Sequence, residues 1–353
     1  MSTDRKRRIR RNLVNYMLFL LIMALTFYTV LHGQDWGQIW EALHSLSVPC
    51  LILIFVTAVF FVCAEGSMIW YLLRTIAPDS SGILKCISYS FIGFFYSGIT
   101  PSATGGQPVQ LYYMKKDGNS LSDSTVVLMT VALLYKFVLV IIGCAMLVFW
   151  YSPLKIYLRK YYGLYLLGLV LHVILVTVLL AVMFVPKGMK KLIFRIEHFL
   201  IRIKIFKASE QRTQKIHQFI DSYQDAVRFL AKQKYRMLLI LVTTFLQRCS
   251  LFFLTGLVYR GFSQQGTSFL TVMLLQASVS VAVDMLPLPG AQGITELMYR
   301  NIFSTVFTGG TLMPSLYVTR GISFYFLLMV GMMVVIGNHV CRRIFESAGG
   351  TKR

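Results

Sequence analysis

Apolar residues in this chain fall into long unbroken runs. Six of them, at about 13–31, 48–73, 125–150, 164–185, 237–259 and 316–340, approach or exceed the ~20 residues a helix needs to cross a ~30 Å hydrocarbon core. Each is read as a transmembrane helix. Two further apolar runs end in proline and glycine. Residues 83–99 lead into TPSATGGQP and then VQLYYMKKDG, and residues 268–286 lead into LPLPGAQG and then ITELMYRNIFSTVF. Such breaks stop a helix. The helix after the first break is only about 12 residues, or ~18 Å, too short to cross. Residues 83–116 therefore read as a re-entrant hairpin that turns near Pro101–Pro108 and returns to the face it left. Residues 268–308 read as a second hairpin or as a pair of full crossings. Parity is the same either way, so six spans with two hairpins and eight spans both remain open. The fold class is all-α: a polytopic membrane helix bundle.

Charge orients the chain. Arg5, Lys6, Arg7, Arg8, Arg10 and Arg11 crowd the segment before the first run, and Cys341-Arg342-Arg343 follow the last. By the positive-inside rule both termini are expected in the cytoplasm of a cell membrane. The HGQDWGQIW segment offers no small-residue cleavage site, so the first run is read as a retained span. Its loop to Ser47 carries Asp35 and Glu41 with no Lys or Arg and belongs outside. A short outer loop with Lys155, Arg159 and Lys160 breaks the rule mildly. The layout is a basic tail at 1–12, a membrane domain at 13–340 and a tail at 341–353. Within the domain, residues 186–236 hold thirteen Lys or Arg against four acids. This connector has helical periodicity and is expected to meet anionic headgroups on the cytoplasmic face, with a solvated connector as the alternative.

Composition agrees: 56% of residues are hydrophobic and 14% charged, against about 25% charged in soluble domains. The net charge of +21 sits beside the apolar runs, and no base-reading module is visible, so nucleic acid is not expected as a partner. Cys50, Cys63, Cys86, Cys144, Cys249 and Cys341 lie in or beside apolar runs without a CxxC pair, and read as packing residues. GxxxxGK[ST], HExxH and GxSxG are absent, so no cofactor, metal or nucleotide is expected.

The two breaks are 186 residues apart, Pro101 against Pro287. At that offset Arg74 meets Arg260, Leu111 meets Leu297 and Tyr113 meets Tyr299. One set begins outside and the other inside, which suggests an inverted-topology repeat of the kind that builds a site near the bilayer midplane.

Ionisable groups inside a bilayer are unfavourable and mark functional candidates. The candidates are Glu65, Lys136, Arg248, Asp284, Glu296 and Arg320, three cations and three acids able to bind a zwitterionic or phosphate-bearing headgroup. Internal salt bridging is the structural alternative. His172, alone on its span, reads as a packed histidine or as one near solvent. The broken segments add freed backbone groups that must be buried or line a polar cavity. Their residues are Pro101, Gly105, Gly106, Pro108, Pro287, Pro289, Gly290 and Gly293.

TPSATGGQPVQLYYMKK, PLPGAQGITE and the arginine-led TRGISFYFLLMVG together resemble the flippase-like membrane domain of lysylphosphatidylglycerol synthases. The resemblance covers essentially the whole chain. It marks Pro101, Gly105, Gly106, Pro289, Gly290, Gly293, Glu296 and Arg320. Where many relatives have an acid–arginine pair, this chain has Tyr135-Lys136, which leaves a cation without an adjacent acid. In bifunctional relatives a cytosolic domain transfers an aminoacyl group from tRNA to phosphatidylglycerol. This chain ends about a dozen residues after its last span, without room for that domain.

What the resemblance implies is a lipid flippase or lipid-linked transporter for a phospholipid, aminoacylated phosphatidylglycerol included. The alternative is phosphatidylglycerol lysyltransferase activity, making lysylphosphatidylglycerol from lysyl-tRNA and conferring resistance to cationic peptides. Partners implied are membrane phospholipids, a homo-oligomer or a separate lipid-modifying enzyme.

Overall fold

The structure is a computed structural model, and it describes residues 36–100, 103–185, 195 and 210–349. The basic tail at 1–12, the expected first span at 13–31, residues 350–353 of the C-terminal tail, Pro101 and most of 186–209 lie outside the described residues. All described secondary structure is helical. The elements are α1 (Trp36–His44), α2 (Val48–Ile76), α3 (Ile83–Ile99), α4 (Gly106–Lys116), α5 (Leu121–Phe149), α6 (Tyr151–Leu158), α7 (Tyr162–Phe184), α8 (Glu210–Lys232), α9 (Lys234–Gly261), α10 (Phe269–Val283), α11 (Ile294–Ile302), α12 (Leu312–Arg320) and α13 (Leu327–Gly349). Among the described residues, five stretches are long and apolar enough to cross a membrane: Val48–Ile76, Leu121–Phe149, Tyr151–Phe184, Lys234–Gly261 and Leu312–Val340. The protein is a multi-pass membrane helix bundle.

Helix starts follow their sequences. Ser120 caps α5 by accepting the Asp123 N–H, and Ser268 caps α10 by accepting the Thr271 N–H at 3.1 Å. Two expected loops are helical instead. Residues 36–44 form α1, in which Ala42 is buried, as is Leu46 just beyond its end. The segment with Lys155 and Arg159 forms α6 and a turn of 3-10 helix leading straight into α7. In both, buried apolar residues recur at helical spacing (Ala42 with Leu46, Leu154 with Leu158) among polar neighbours, and packing against the bundle outweighs the polarity.

The two short apolar helices decide the topology. At 1.5 Å per residue, α3 and α10 reach only about 25 and 22 Å, less than the hydrocarbon core. Each is followed by a still shorter helix, α4 or α11, that turns back. The ends of the first unit meet: Asn119 Nδ2 donates to Ser81 Oγ at 2.8 Å, and Tyr89 OH donates to Asp117 at 2.6 Å. So do those of the second, where Gln264 Oε1 accepts from the Thr308 N–H at 2.9 Å and from its hydroxyl at 3.0 Å. Both units are therefore re-entrant hairpins.

They enter from opposite ends. Helices α2 and α9 run antiparallel in close contact: Cys50 lies against Leu257, Phe61 against Gln247 and Met68 against Thr244. The first hairpin follows the C-terminal end of α2, and the second follows the C-terminal end of α9. The inverted repeat shows in the element starts as well. Val48 and Lys234 begin α2 and α9, Ile83 and Phe269 begin α3 and α10, and both pairs differ by 186.

The turns have local causes. Thr100 precedes a proline and is extended (φ −111°, ψ 145°), which ends α3. Its hydroxyl accepts the Gly105 N–H at 2.9 Å, and Ala103 adopts φ 55°. A Cβ at Gly106 would sit 2.0 Å from Ser97 Oγ and 2.7 Å from the Gly93 carbonyl, so only glycine lets the arms close. Pro108 belongs to the first turn of α4 rather than to the break. No helical hydrogen bond is lost there, because the first-turn N–H groups have no partner anyway. In the second hairpin Pro287 and Pro289 stop α10, and Gly290 (φ 55°) and Gly293 (φ 78°) turn the chain into α11.

The connector helix α8 presents Ile220, Tyr223, Ala226, Val227 and Leu230 to the bundle, a stripe at i, i+3 and i+4 spacing. Its apolar face packs on protein beside Met68 and Val126, and its charged face, with Asp225 and Arg228, points outward. Burial pushes the Tyr223 phenol up to about 12.

Candidate functional site

The hairpin tips meet at one cavity of about 230 Å³. Gly98 and Ala103 line it from the first tip, and Leu288, Gly290 and Ala291 from the second. Phe61, Tyr135 and Arg248 also reach it, each within one residue of the midpoint of α2, α5 or α9. The cavity therefore lies near mid-depth of the spans. Its volume lies just below the range of about 300–1,000 Å³ usual for ligand sites and suits a headgroup rather than a whole lipid.

Of the six candidates from the sequence, Arg248, Asp284 and Arg320 line the cavity, while Glu65, Lys136 and Glu296 stand behind its wall. Asp284 follows the last residue of α10, at the root of the second tip. Lys136 Nζ donates to its Oδ2, Tyr135 OH donates to Oδ1 at 2.6 Å, and His172 Nε2 lies 3.4 Å from Oδ2. The acid missing beside Lys136 in the sequence thus arrives from the other half of the chain, 148 residues away. His172 is fully buried, as expected of a packed residue, yet both ring nitrogens face acceptors, Asp284 and the Gly168 carbonyl at 2.7 Å.

Arg320 ends α12 where the helix widens into a π turn at Gly321–Phe326, a distortion common at functional sites. Its Nε donates to Glu296 Oε1 at 2.8 Å, and another guanidinium nitrogen donates to the Gly290 carbonyl at 3.1 Å. The arginine therefore holds the second tip. Glu296 Oε2 is buried without a hydrogen-bond partner among the described residues. Glu65 is met by Gln110 Nε2 at 3.1 Å. Gln110 and Glu296 are themselves 186 residues apart, so the two return arms carry an amide and an acid at equivalent positions.

Arg248 differs from the others. Its guanidinium carbon sits 3.7 Å from the centre of the Tyr135 ring and 4.4 Å from that of Phe61. Among the described residues it makes no hydrogen bond and no ion pair within 4.0 Å, and its Nε is buried without a partner. Among the described residues no group of three or more His, Cys, Asp or Glu could hold a metal.

Three residues of this site escaped the sequence reading as site residues: Tyr135, His172 and Gln110. A hydroxyl, an imidazole and an amide in apolar runs were the available signal. Their partners are too distant in sequence to be inferred.

Residues 14–331 match the family described as "Lysylphosphatidylglycerol synthase TM region". The chain belongs to this family. It is similar to a UPF0104 membrane protein of Pyrococcus horikoshii, 26% identical over 262 residues, which cover 72% of this chain and 77% of the relative. A UPF0104 membrane protein of Methanothermobacter thermautotrophicus is 26% identical over 108 residues, covering 31% of this chain and 30% of the relative.

Proposed function

We propose that the protein translocates a phospholipid headgroup between bilayer leaflets, as a flippase-like transporter of a cell membrane with both termini in the cytoplasm. The observation that carries this reading is the cavity between two opposed hairpin tips, with Arg248, Arg320 and Asp284 on its wall. Polar side chains at that depth are unfavourable in lipid and mark a hydrophilic path. Two tips reaching in from opposite ends leave thin barriers on either side of the cavity. Small rearrangements of the tips then open one face at a time, and acyl tails remain in lipid while the headgroup passes. The Arg320 contacts to Glu296 and Gly290 make the second tip the better-tethered barrier.

The test is a liposome assay with a fluorescent phospholipid and a membrane-impermeant quencher. Protein-containing vesicles should expose inner-leaflet lipid to the quencher far faster than empty ones. Glu296→Gln and Arg320→Ala should purify as folded protein and lose that acceleration. Equal rates with and without wild-type protein would sink the transport reading. Unfolding of both variants would assign the pair to structure.

A further inference from the structure

We propose that Arg248 is the phosphate-binding residue of the cavity, and that the cavity takes lipid headgroups of net negative charge in preference to those carrying an added ammonium. This inference rests on the transport reading above and names its substrate class.

Three observations lead to it. Arg248 is 93% buried and has no hydrogen bond or close ion pair among the described residues, while Lys136 and Arg320 each have a carboxylate. A buried guanidinium without a contacting counter-ion or acceptor is unfavourable, so a partner that supplies acceptors there gains a strong interaction. Glu65 and Asp284 attract it only from a distance, with Glu65 Oε1 taken by Gln110 and Asp284 by its own three partners.

The guanidinium is also preorganised. Two aromatic rings, Tyr135 and Phe61, lie against it and restrict its motion, so little entropy is lost when a ligand arrives. A planar fork of donors matches two oxygens of a phosphate.

Finally, the wall is unequal in what it offers. Arg248 supplies unused donors. Asp284, the carboxylate on the same wall, already accepts from Tyr135, Lys136 and His172. An extra ammonium entering with the headgroup finds no free carboxylate on the wall and meets the unpaired guanidinium of Arg248, that of Arg320 being held by Glu296. A phosphodiester alone meets the opposite situation.

Binding to purified protein in detergent tests this independently of translocation. The probes are dioctanoyl-phosphatidylglycerol, its lysyl ester, dioctanoylglycerol and sn-glycerol 3-phosphate, with affinity read by native mass spectrometry or calorimetry. Phosphatidylglycerol should bind at least tenfold tighter than dioctanoylglycerol and than the lysyl ester. Arg248→Gln should lose at least tenfold for phosphatidylglycerol while its thermal midpoint stays within a few degrees. Should Arg248→Gln fail to fold, Arg248→Lys, which keeps the charge and loses the fork, must bind more weakly than wild type.

Unchanged affinity in a folded Arg248 variant overturns the assignment. Equal affinity for the lysyl ester overturns the charge preference. Glycerol phosphate binding as tightly as the lipid overturns the lipid source. Loss of binding selectivity with translocation intact sinks this inference alone. Intact binding without translocation sinks the transport reading alone.

Discussion

Gln247 Nε2 donates to the main-chain carbonyl of Phe61 at 2.8 Å, and the two residues are 186 positions apart. That is the offset separating the starts of α2 and α9 and of α3 and α10. Residues equivalent under a two-fold repeat can touch only near its axis. Phe61 and Gln247 therefore mark where the pseudo-axis of the inverted repeat passes. The neighbouring Arg248 opens onto the cavity, as Phe61 itself does. The cavity thus lies beside the pseudo-axis, where both halves of the chain contribute to one wall.

The Lys136–Asp284 pair joins those halves inside the bundle, and its effect should be non-additive. Lys136→Met leaves Asp284 without its cation, and Asp284→Leu leaves Lys136, Tyr135 and His172 without their acceptor. Each single variant should lose about 1–3 kcal/mol of stability, below the ~3–5 kcal/mol of a fully buried orphaned charge because both side chains are only part-buried. The double variant should lose much less, because no unpaired charge remains. Denaturation of all four forms in detergent gives the coupling directly, and additive losses would show that the pair is solvated.

Gly168 lets α7 lie directly on α10. A Cβ there would stand 2.3 Å from the Val281 carbonyl oxygen and 2.9 Å from Ala282 Cα, backbone atoms that cannot rotate away. Gly168→Ala should lower stability by about 1–3 kcal/mol, as overpacking does, and displace the root of the second hairpin. Gly163, in the first turn of the same helix, has nothing within 4 Å of a built Cβ, so Gly163→Ala should fall within about 0.5 kcal/mol of wild type. Thermal midpoints of the two variants measured side by side check the contrast.

Gly290 combines two demands at the second tip. Its φ of 55° disfavours a side chain, and a Cβ would lie 2.3 Å from Phe324 Cζ. Its carbonyl also accepts from Arg320 at 3.1 Å. Gly290→Ala should strain the tip by about 1–3 kcal/mol and pull that carbonyl off the guanidinium. Translocation should drop at least tenfold with the protein still folded. A fully active Gly290→Ala would mean that the tip does not need this conformation.

The sequence made the architecture legible because its strongest signals are local. Pro and Gly stop α3 and α10 whatever surrounds them, and apolar length separates crossing helices from arms. The six ionisable candidates were likewise visible, since charge in an apolar run stands out. Their pairing was not. Tyr135-Lys136 read as a cation lacking an acid because the acid comes from Asp284, in the other half. Pro108 read as part of a break, yet a proline in the first turn of a helix is harmless, and only the backbone shows that α4 begins at Gly106. The cavity-facing side of each span could not be read from runs that are apolar all round.

The last prediction concerns access to the two tips. Each hairpin has both ends on one face of the bundle, and the faces are opposite. Thr104 and Ala291 sit at the tips, and Ala291 lines the cavity. Single cysteines at these positions, in a background with the native cysteines replaced, should react with small polar thiol reagents, since Ala291 lines the cavity and Thr104 is an exposed residue next to Ala103, which lines it too. In sealed vesicles each should be shielded from at least one side, because the opposing tip closes the cavity there. Adding a phospholipid that is transported should change the labelling rate of the two positions in opposite senses as the barriers alternate. If Thr104→Cys labels freely from the outer face under all conditions, no barrier separates the first tip from that face, and two opposed gates cannot be the mechanism. If both cysteines resist every polar reagent from both sides, the cavity is dry and the headgroup takes another route.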